Sequence, residues 1–340
     1  LDDALIKNIS YWKKSLSLEI EDIDNRQMSS LFNAIMFARA VEDSTRNARI
    51  RQNAPDLLPE EYLLRLWDSG EMGIADLLYS TSEKLLGETV PDYLNEAENL
   101  KPFEVLDRST MRTLLSTFYY QDSVPYRYDF SVMSKHALSR LYEQYVSILK
   151  TIEPLRSAQP SLFKMRLPKQ ETNKTYGAYY TPQYIARFFA RFYRKTVSPR
   201  KNVTAKIVDP ACGSGIFLRT FLEQRFEQIV DSGDGKITPE IVRSSFTDVL
   251  GIDIDPNATR ASGLSLALLQ LGIKDSFPNQ LTQLSNFPAI IHLFESEATE
   301  YIEHNLANLT ESQDAVVANP PFVRVEDQPD AIRERMSKFT

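Results

Sequence analysis

A chain of 340 residues, 42% hydrophobic and 25% charged, can bury more than one core and has the composition of a globular protein. Its net charge of −7 excludes a surface that grips nucleic acid by general positive charge, so phosphate contacts need a local basic patch or further protein. The single cysteine, Cys212, excludes an internal disulfide framework and fits a reducing cytoplasm, and His136, His292 and His304 lie too far apart for a zinc site. No apolar run approaches the roughly 18 residues of a membrane span, and the N-terminus does not read as a signal peptide.

Residues 1–150 read as a helical bundle. Leu5, Ile9, Trp12 and Leu16 recur at helical spacing, as do Phe32, Ile35, Met36 and Arg39-Ala40. Pro55, Pro59, Pro91 and Pro102 mark helix starts or joints, and Leu138, Leu141, Tyr142, Tyr145, Ile148 and Leu149 make a last amphipathic stripe. Residues 151–175, polar with Pro154, Pro160 and Pro168, read as a linker. Residues 176–340 then form the second domain.

That domain opens with Gly177-Ala178-Tyr179-Tyr180-Thr181-Pro182, where Thr181 reads as a helix N-cap and Pro182 as the first helical residue. The helix places Tyr184, Ile185, Phe188, Phe189 and Phe192 on one face. Between Thr172 and Val208 there is no acidic residue, while Lys174, Arg187, Arg191, Arg194, Lys195, Arg200, Lys201 and Lys206 accumulate. This stretch is the candidate phosphate-facing patch, and an ordinary solvated face fits it equally.

Beyond it, strands and helices alternate: strand Ala205–Pro210, helix from Ile216, strand Val249–Asp255, helix from Asn257, strand Ala289–Leu293, helix from Glu297, strand Ala315–Ala318. The pattern predicts an α/β doubly wound, Rossmann-like parallel sheet, with ligands outside the carboxyl ends of its strands. The first strand runs into Asp209-Pro210-Ala211-Cys212-Gly213-Ser214-Gly215, whose glycines allow a tight turn and close backbone approach to a polar ligand. Leu218 occupies the place of the third glycine of a dinucleotide fingerprint, so a pyrophosphate site is not expected. Cys212 reads as small filler. Asp234-Gly235-Lys236-Ile237 resembles the middle of a calcium loop, but Val230 and Ile241 fall at ligand positions, leaving a surface loop. The second strand ends Asp253-Ile254-Asp255-Pro256, with Asp255 set to cap the next helix. The last ends Asn319-Pro320-Pro321-Phe322.

The series D-P-A-C-G-S-G followed by N-P-P-F, with Y-T-P before both, resembles the amino-group (N6-adenine) DNA methyltransferases. The resemblance implies S-adenosylmethionine as cofactor. By its motifs, Tyr180 and Thr181 line the methionine end, Asp209 lies near the ammonium group, and Ala211, Gly213 and Gly215 surround the methionine portion. Asp253 would accept from the ribose hydroxyls and Glu297, or alternatively Glu295, from the adenine amino group. Asn319 and the Pro320 carbonyl would hold the target amino group, Pro321 would stiffen the turn, and Phe322 would stack on a flipped base. Leu31–Asp43 and Ala137–Tyr145 are similar to the helical connector of single-chain restriction–modification enzymes, which in that family joins a nuclease to the methyltransferase. The implied partners are therefore double-stranded DNA, a possible upstream nuclease, and C-terminal catalytic and target-recognition regions beyond Thr340; the chain reads as a fragment of such an enzyme. An rRNA adenine or protein glutamine substrate, or a non-catalytic scaffold that binds cofactor or DNA, are the competing readings.

Overall fold

The computed structural model describes residues 2–87, 89–90, 94–121, 124–131, 181–232, 236–278, 280–281, 292–295, 298–309 and 313–320. The stripe 138–149, the linker 151–175 and residues 323–340 lie outside them.

Helix α1 (Asp2–Glu19) buries Leu5, Ile9, Trp12 and Leu16, the stripe its spacing predicts. Helix α2 (Asn25–Arg51) starts at a capping box: the Asp24 carboxylate accepts from Gln27 N at 2.7 Å, and Gln27 Oε1 accepts from Asp24 N at 2.9 Å. From Met28 to Ser44 every residue of α2 is buried, so the helix has no solvent face there. It is the axis of the N-terminal half. Around it lie α3 (Tyr62–Asp68), α4 (Ile74–Leu86), α5 (Ala97–Leu100) and α6 (Arg108–Ser116). A two-stranded antiparallel hairpin, β1 (Tyr120–Gln121) and β2 (Val124–Arg127), adds to the helices that periodicity predicts.

The C-terminal half begins with α7 (Gln183–Thr196) and α8 (Pro199–Thr204). It continues through β3 (Ile207–Asp209), α9 (Ile216–Asp231), α10 (Pro239–Thr247), β4 (Val249–Asp253) and α11 (Pro256–Ser276). It ends with β5 (His292–Glu295), α12 (Ala298–Leu309) and β6 (Ala315–Val316). The strands form one sheet in the order β5-β4-β3-β6, and each neighbouring pair is parallel. This is the Rossmann-like arrangement the alternation predicts. The third strand is described over His292–Glu295, ending two residues beyond the predicted Leu293.

One sheet face, with Ile207, Val249 and Leu293, joins the main core beneath α9; the other, with Val208, Leu250 and Ile252, packs against Tyr301 of α12. Glycine 251 is required by this layering. A Cβ there would lie 2.7 Å from Leu293 Cδ2, 2.9 Å from Leu218 Cδ1 and 3.1 Å from Cys212 Sγ. Cys212 is buried against it, and burial pushes its thiol well above the usual range, so it acts as small filler rather than nucleophile. Gly251→Ala overpacks this point and should cost about 1–3 kcal/mol, read as a lower denaturation midpoint at unchanged m-value.

The two halves share a continuous core running from Leu5 to Leu281. Helix α2 packs along α11, where Ser29 Oγ donates to Asn257 Oδ1 at 3.0 Å and Ser44 Oγ to Asp275 Oδ1 at 2.7 Å. Arg260 of α11 pairs with Glu96 at 2.7 Å. Helix α11 is held to α9 by buried Arg219, which pairs with Glu223 at 3.1 Å and donates to Ser265 O at 3.0 Å. The loops preceding α9 and α11 therefore have a rigid backing.

Candidate active site

Strand β3 delivers Asp209 to its carboxyl end, and the chain turns at once. Gly215 N donates to Cys212 O at 2.8 Å, and Cys212 N ties the loop to β4 through Ile252 O at 2.9 Å. Gly213 and Gly215 have φ of 52° and 74°, which a side chain adopts only with strain. A Cβ on Gly215 would also collide with Ser262 Oγ of α11, whereas one on Gly213 would meet open space. The first glycine thus faces open space, and the second lets the loop close on the neighbouring helix.

Asp209 is fully buried. Its Oδ1 accepts from Ala211 N at 3.1 Å, while Oδ2 has no partner among the described residues. Burial, reinforced by the nearby charge of Asp253 and opposed by the Ala211 N–H, raises its pKa to about 8. Ionised, such a carboxyl needs a cation or donor at Oδ2, which the described residues do not supply. Asp253, at the end of β4, accepts from Gly213 N at 2.8 Å through Oδ2 and from Asp255 N at 2.9 Å through Oδ1. It braces the glycine loop from the carboxyl end of β4. Asp255 is the N-cap of α11, accepting from Asn257 N at 3.0 Å with Pro256 in the first turn, as its sequence predicts.

Asn319 emerges beyond β6, whose continuation is held beside β3 by Val317 N donating to Val208 O at 2.9 Å. It lies on the same carboxyl edge as Asp209. Its Nδ2 donates to Thr181 Oγ1 at 3.0 Å, and Thr181 is only 7% exposed. The cap expected at Thr181 is therefore corrected: α7 starts at Gln183 with Pro182 in the cap position and no side-chain cap, because the threonine hydroxyl is turned to Asn319.

A second difference concerns α7 itself. Its small residues Ala186 and Ala190 are buried, since close approach to α9 needs small side chains. Tyr184, Phe188 and Phe192 are exposed, while Phe189 and Tyr193 touch Phe217 and Phe221 at the margins. The basic stretch is partly neutralised: Arg194 pairs with Asp231 at 2.6 Å, and Lys201 pairs with Asp314. Arg187 is half-buried, while Arg191, Lys195 and Arg200 are exposed.

Tyr180, Glu297, Pro321 and Phe322 lie outside the described residues. Glu295 ends β5 in register with Asp253, and only its backbone is described. Pro320 is exposed. Sequence reasoning missed the Thr181–Asn319 bond, the Ser262 contact and the bracing role of Asp253. A carboxylate two residues before a capping aspartate was the one available signal for the last. A groove lined by Lys206, Asp248, Leu250, Phe294, Tyr301 and Gln313 includes neither Asp209, Asp253 nor Asn319.

Against known families, the N-6 DNA Methylase model matches residues 163–339, just over half of the chain. The chain belongs to the N-6 DNA Methylase family. The family uses S-adenosylmethionine as its methyl donor, as the motifs implied. No curated protein matches the chain. Among solved structures it is similar to the Type IIL restriction-modification enzyme MmeI in complex with DNA, with a TM-score of 0.58 and 15% identity. That match covers 99% of this chain and 45% of MmeI, so it spans both halves described above, and at this identity the likeness is one of fold. A protein assigned as a class I S-adenosylmethionine-dependent methyltransferase from Listeria monocytogenes matches at TM-score 0.29 and 13% identity, covering 86% of this chain and 62% of that one. That second superposition is too loose to carry an argument.

The residues present fit the family's cofactor. The orphaned Asp209 Oδ2 suits an ammonium, Asp253 suits a diol, and Gly213 leaves room where a side chain would intrude. No helix among the described residues is long and apolar enough to cross a membrane.

Proposed function

We propose that the chain is part of a site-specific DNA adenine-N6 methyltransferase of a restriction–modification or phage-defence system, acting in the cytoplasm on double-stranded DNA. The observation that carries this reading is the placement of Asn319 on the same strand edge as the glycine loop and Asp209, joined to Thr181 at 3.0 Å. On this reading Asn319 is the base-holding amide, beside the loop that takes the methyl donor.

The target nitrogen is a poor nucleophile because its lone pair is delocalised into the adenine ring. Two acceptors that hold its N–H groups turn the nitrogen toward a tetrahedral geometry and free the lone pair. Asn319 Oδ1 and the Pro320 carbonyl have the chemistry for this, and the proline ring stiffens the second acceptor. The base has to leave the duplex stack to reach them, and Phe322 is its stacking partner in this reading. Bound S-adenosylmethionine supplies an electrophilic methyl on a sulfonium. Asp209 pairs with the ammonium, Asp253 receives the ribose hydroxyls, and Ala211, Gly213 and Gly215 line the methionine portion. Tyr180 and Thr181 close that end, and Glu297 or Glu295 receives the adenine amino group of the cofactor. No strong general base is needed, since the methylated amine is acidic enough to release its proton to water.

The test is transfer of labelled methyl from S-adenosylmethionine by the full-length protein to duplex DNA, rRNA and a glutamine-bearing protein. Label in the N6 position of DNA adenine is expected. Label only in RNA or protein, or none in the presence of demonstrated cofactor binding, would overturn the reading.

The unusual acid at Asp209 adds a pH prediction. Its pKa of about 8 means the folded carboxyl stays protonated where the unfolded one has ionised. The bare fold therefore loses stability as pH rises from about 4 toward 8. Cofactor affinity should move the opposite way, because the ammonium favours the carboxylate and binding releases a proton below pH 8. The gain approaches about tenfold per pH unit at its steepest. Calorimetry in buffers of different ionisation enthalpy reads the proton release directly; equal release in Asp209→Asn would remove this role.

A further inference from the structure

We propose that Thr181 is a positioning residue that acts through Asn319, setting the amide for the incoming amino group rather than serving the cofactor alone. The inference rests on the adenine-methylation reading and goes beyond it by giving the Y-T-P segment a role on the base side of the site.

Three observations carry it. Asn319 Nδ2 donates to Thr181 Oγ1 at 3.0 Å, across a sequence separation of 138 residues. Thr181 is nearly fully buried, so water does not compete easily for that hydroxyl. Its backbone is also anchored: Pro182 O receives Ile185 N at 2.9 Å and Ala186 N at 3.3 Å, and α7 then packs through Ala186 and Ala190 against α9, the helix that the glycine loop starts. Thr181 is thus fixed to the same rigid body as Gly215 and Asp209, whereas Asn319 sits on a short segment beyond β6, a two-residue strand.

An amide has an acceptor end and a donor end. To hold an adenine amino group, Asn319 has to present Oδ1, which sends Nδ2 to the other side. Thr181 Oγ1 accepts there, satisfying the donor and holding the amide plane relative to the cofactor loop. The hydroxyl thereby registers the two halves of the reaction, the base holder beyond β6 and the methyl-donor loop after β3. Without it a half-buried Nδ2 loses this acceptor, and the acceptor end loses its fixed direction.

The experiment compares Thr181→Val, which keeps shape and loses the hydroxyl, with Thr181→Ser, which keeps the hydroxyl, in the full-length protein. In Thr181→Val, kcat at saturating DNA and S-adenosylmethionine should fall about tenfold, the equivalent of one misdirected hydrogen bond. Its cofactor Kd should stay within about twofold, and Thr181→Ser should restore kcat. In an Asn319→Ala background, Thr181→Val should have no further effect on kcat, because its influence runs through the missing amide. Additive losses would overturn the proposal, as would a wild-type kcat in Thr181→Val or a defect confined to cofactor Kd. A wild-type protein that labels no DNA adenine would instead sink the adenine reading, and this inference with it, before any variant is compared.

Discussion

Asn319→Ala is expected to lower kcat by about 10²–10³-fold, the scale set by removing one preorganised group that meets charge developing in a transition state. The effect should fall on kcat, because the amide's contacts strengthen as the target nitrogen pyramidalises; DNA affinity comes mainly from phosphate contacts elsewhere. Cofactor binding should persist, since Asp209, Asp253 and the glycine loop hold their geometry through β3, β4 and α11 without using Asn319. Asn319→Asp should retain more activity than Asn319→Ala, because a carboxylate still offers acceptors and the Thr181 hydroxyl can rotate to donate to it. Single-turnover methyl transfer with saturating cofactor measures the loss. Equal kcat in wild type and Asn319→Ala would show that the amide does not hold the reacting nitrogen.

Much of this site was legible because its parts depend on local backbone demands. Gly213 and Gly215 occupy positive-φ positions and Asp255 caps α11, and each requirement is written into neighbouring residues. The alternation of apolar runs with helical stretches likewise exposed the parallel sheet, since buried strands and crossover helices have different periods. The errors arose where tertiary contacts override local signals. Thr181-Pro182 reads as a cap and first turn, yet a partner far along the chain captures the hydroxyl. Spacing put the rings of α7 on one face, but close approach to α9 selected Ala186 and Ala190. Asp253, which the resemblance assigns to the ribose hydroxyls, is also tied through its two oxygens to Gly213 and Asp255, which no spacing announces. Nothing in a one-dimensional pattern signals a bond between residues 181 and 319.

The same limit applies to the helical half, where the largest stability effect is expected at Arg39. Sequence spacing placed it on the core stripe of α2, and the structure buries it completely. Its guanidinium meets Asp43 through two bonds of 3.1 and 2.8 Å, pairs with Glu42 at 3.1 Å, and lies 3.8 Å over the Tyr119 ring. It also donates to Phe118 O at 3.3 Å and Tyr128 O at 3.1 Å, so it holds the hairpin segment to α2. Burial works against its charge, but Tyr119, Glu42 and Asp43 together push its pKa up. Burial raises the pKa of Asp43 in turn. Removing the arginine would leave both acids inside, with Arg127 at 2.6 Å from Asp43 as partial compensation. Arg39→Ala should therefore cost about 3–5 kcal/mol, seen as a large drop in denaturation midpoint. Replacing Arg39, Glu42 and Asp43 together by apolar residues should recover only part of this. The acids also accept from Tyr62 N at 3.0 Å and Phe130 N at 2.9 Å, and those amides would lose their partners. Full recovery by the triple variant would show that the cluster is a replaceable ion pair rather than an anchor for the backbone around α2. Because α2 backs α11 through Ser29 and Ser44, the loss should also weaken cofactor binding near the new midpoint, coupling the helical half to the carboxylates at the sheet edge.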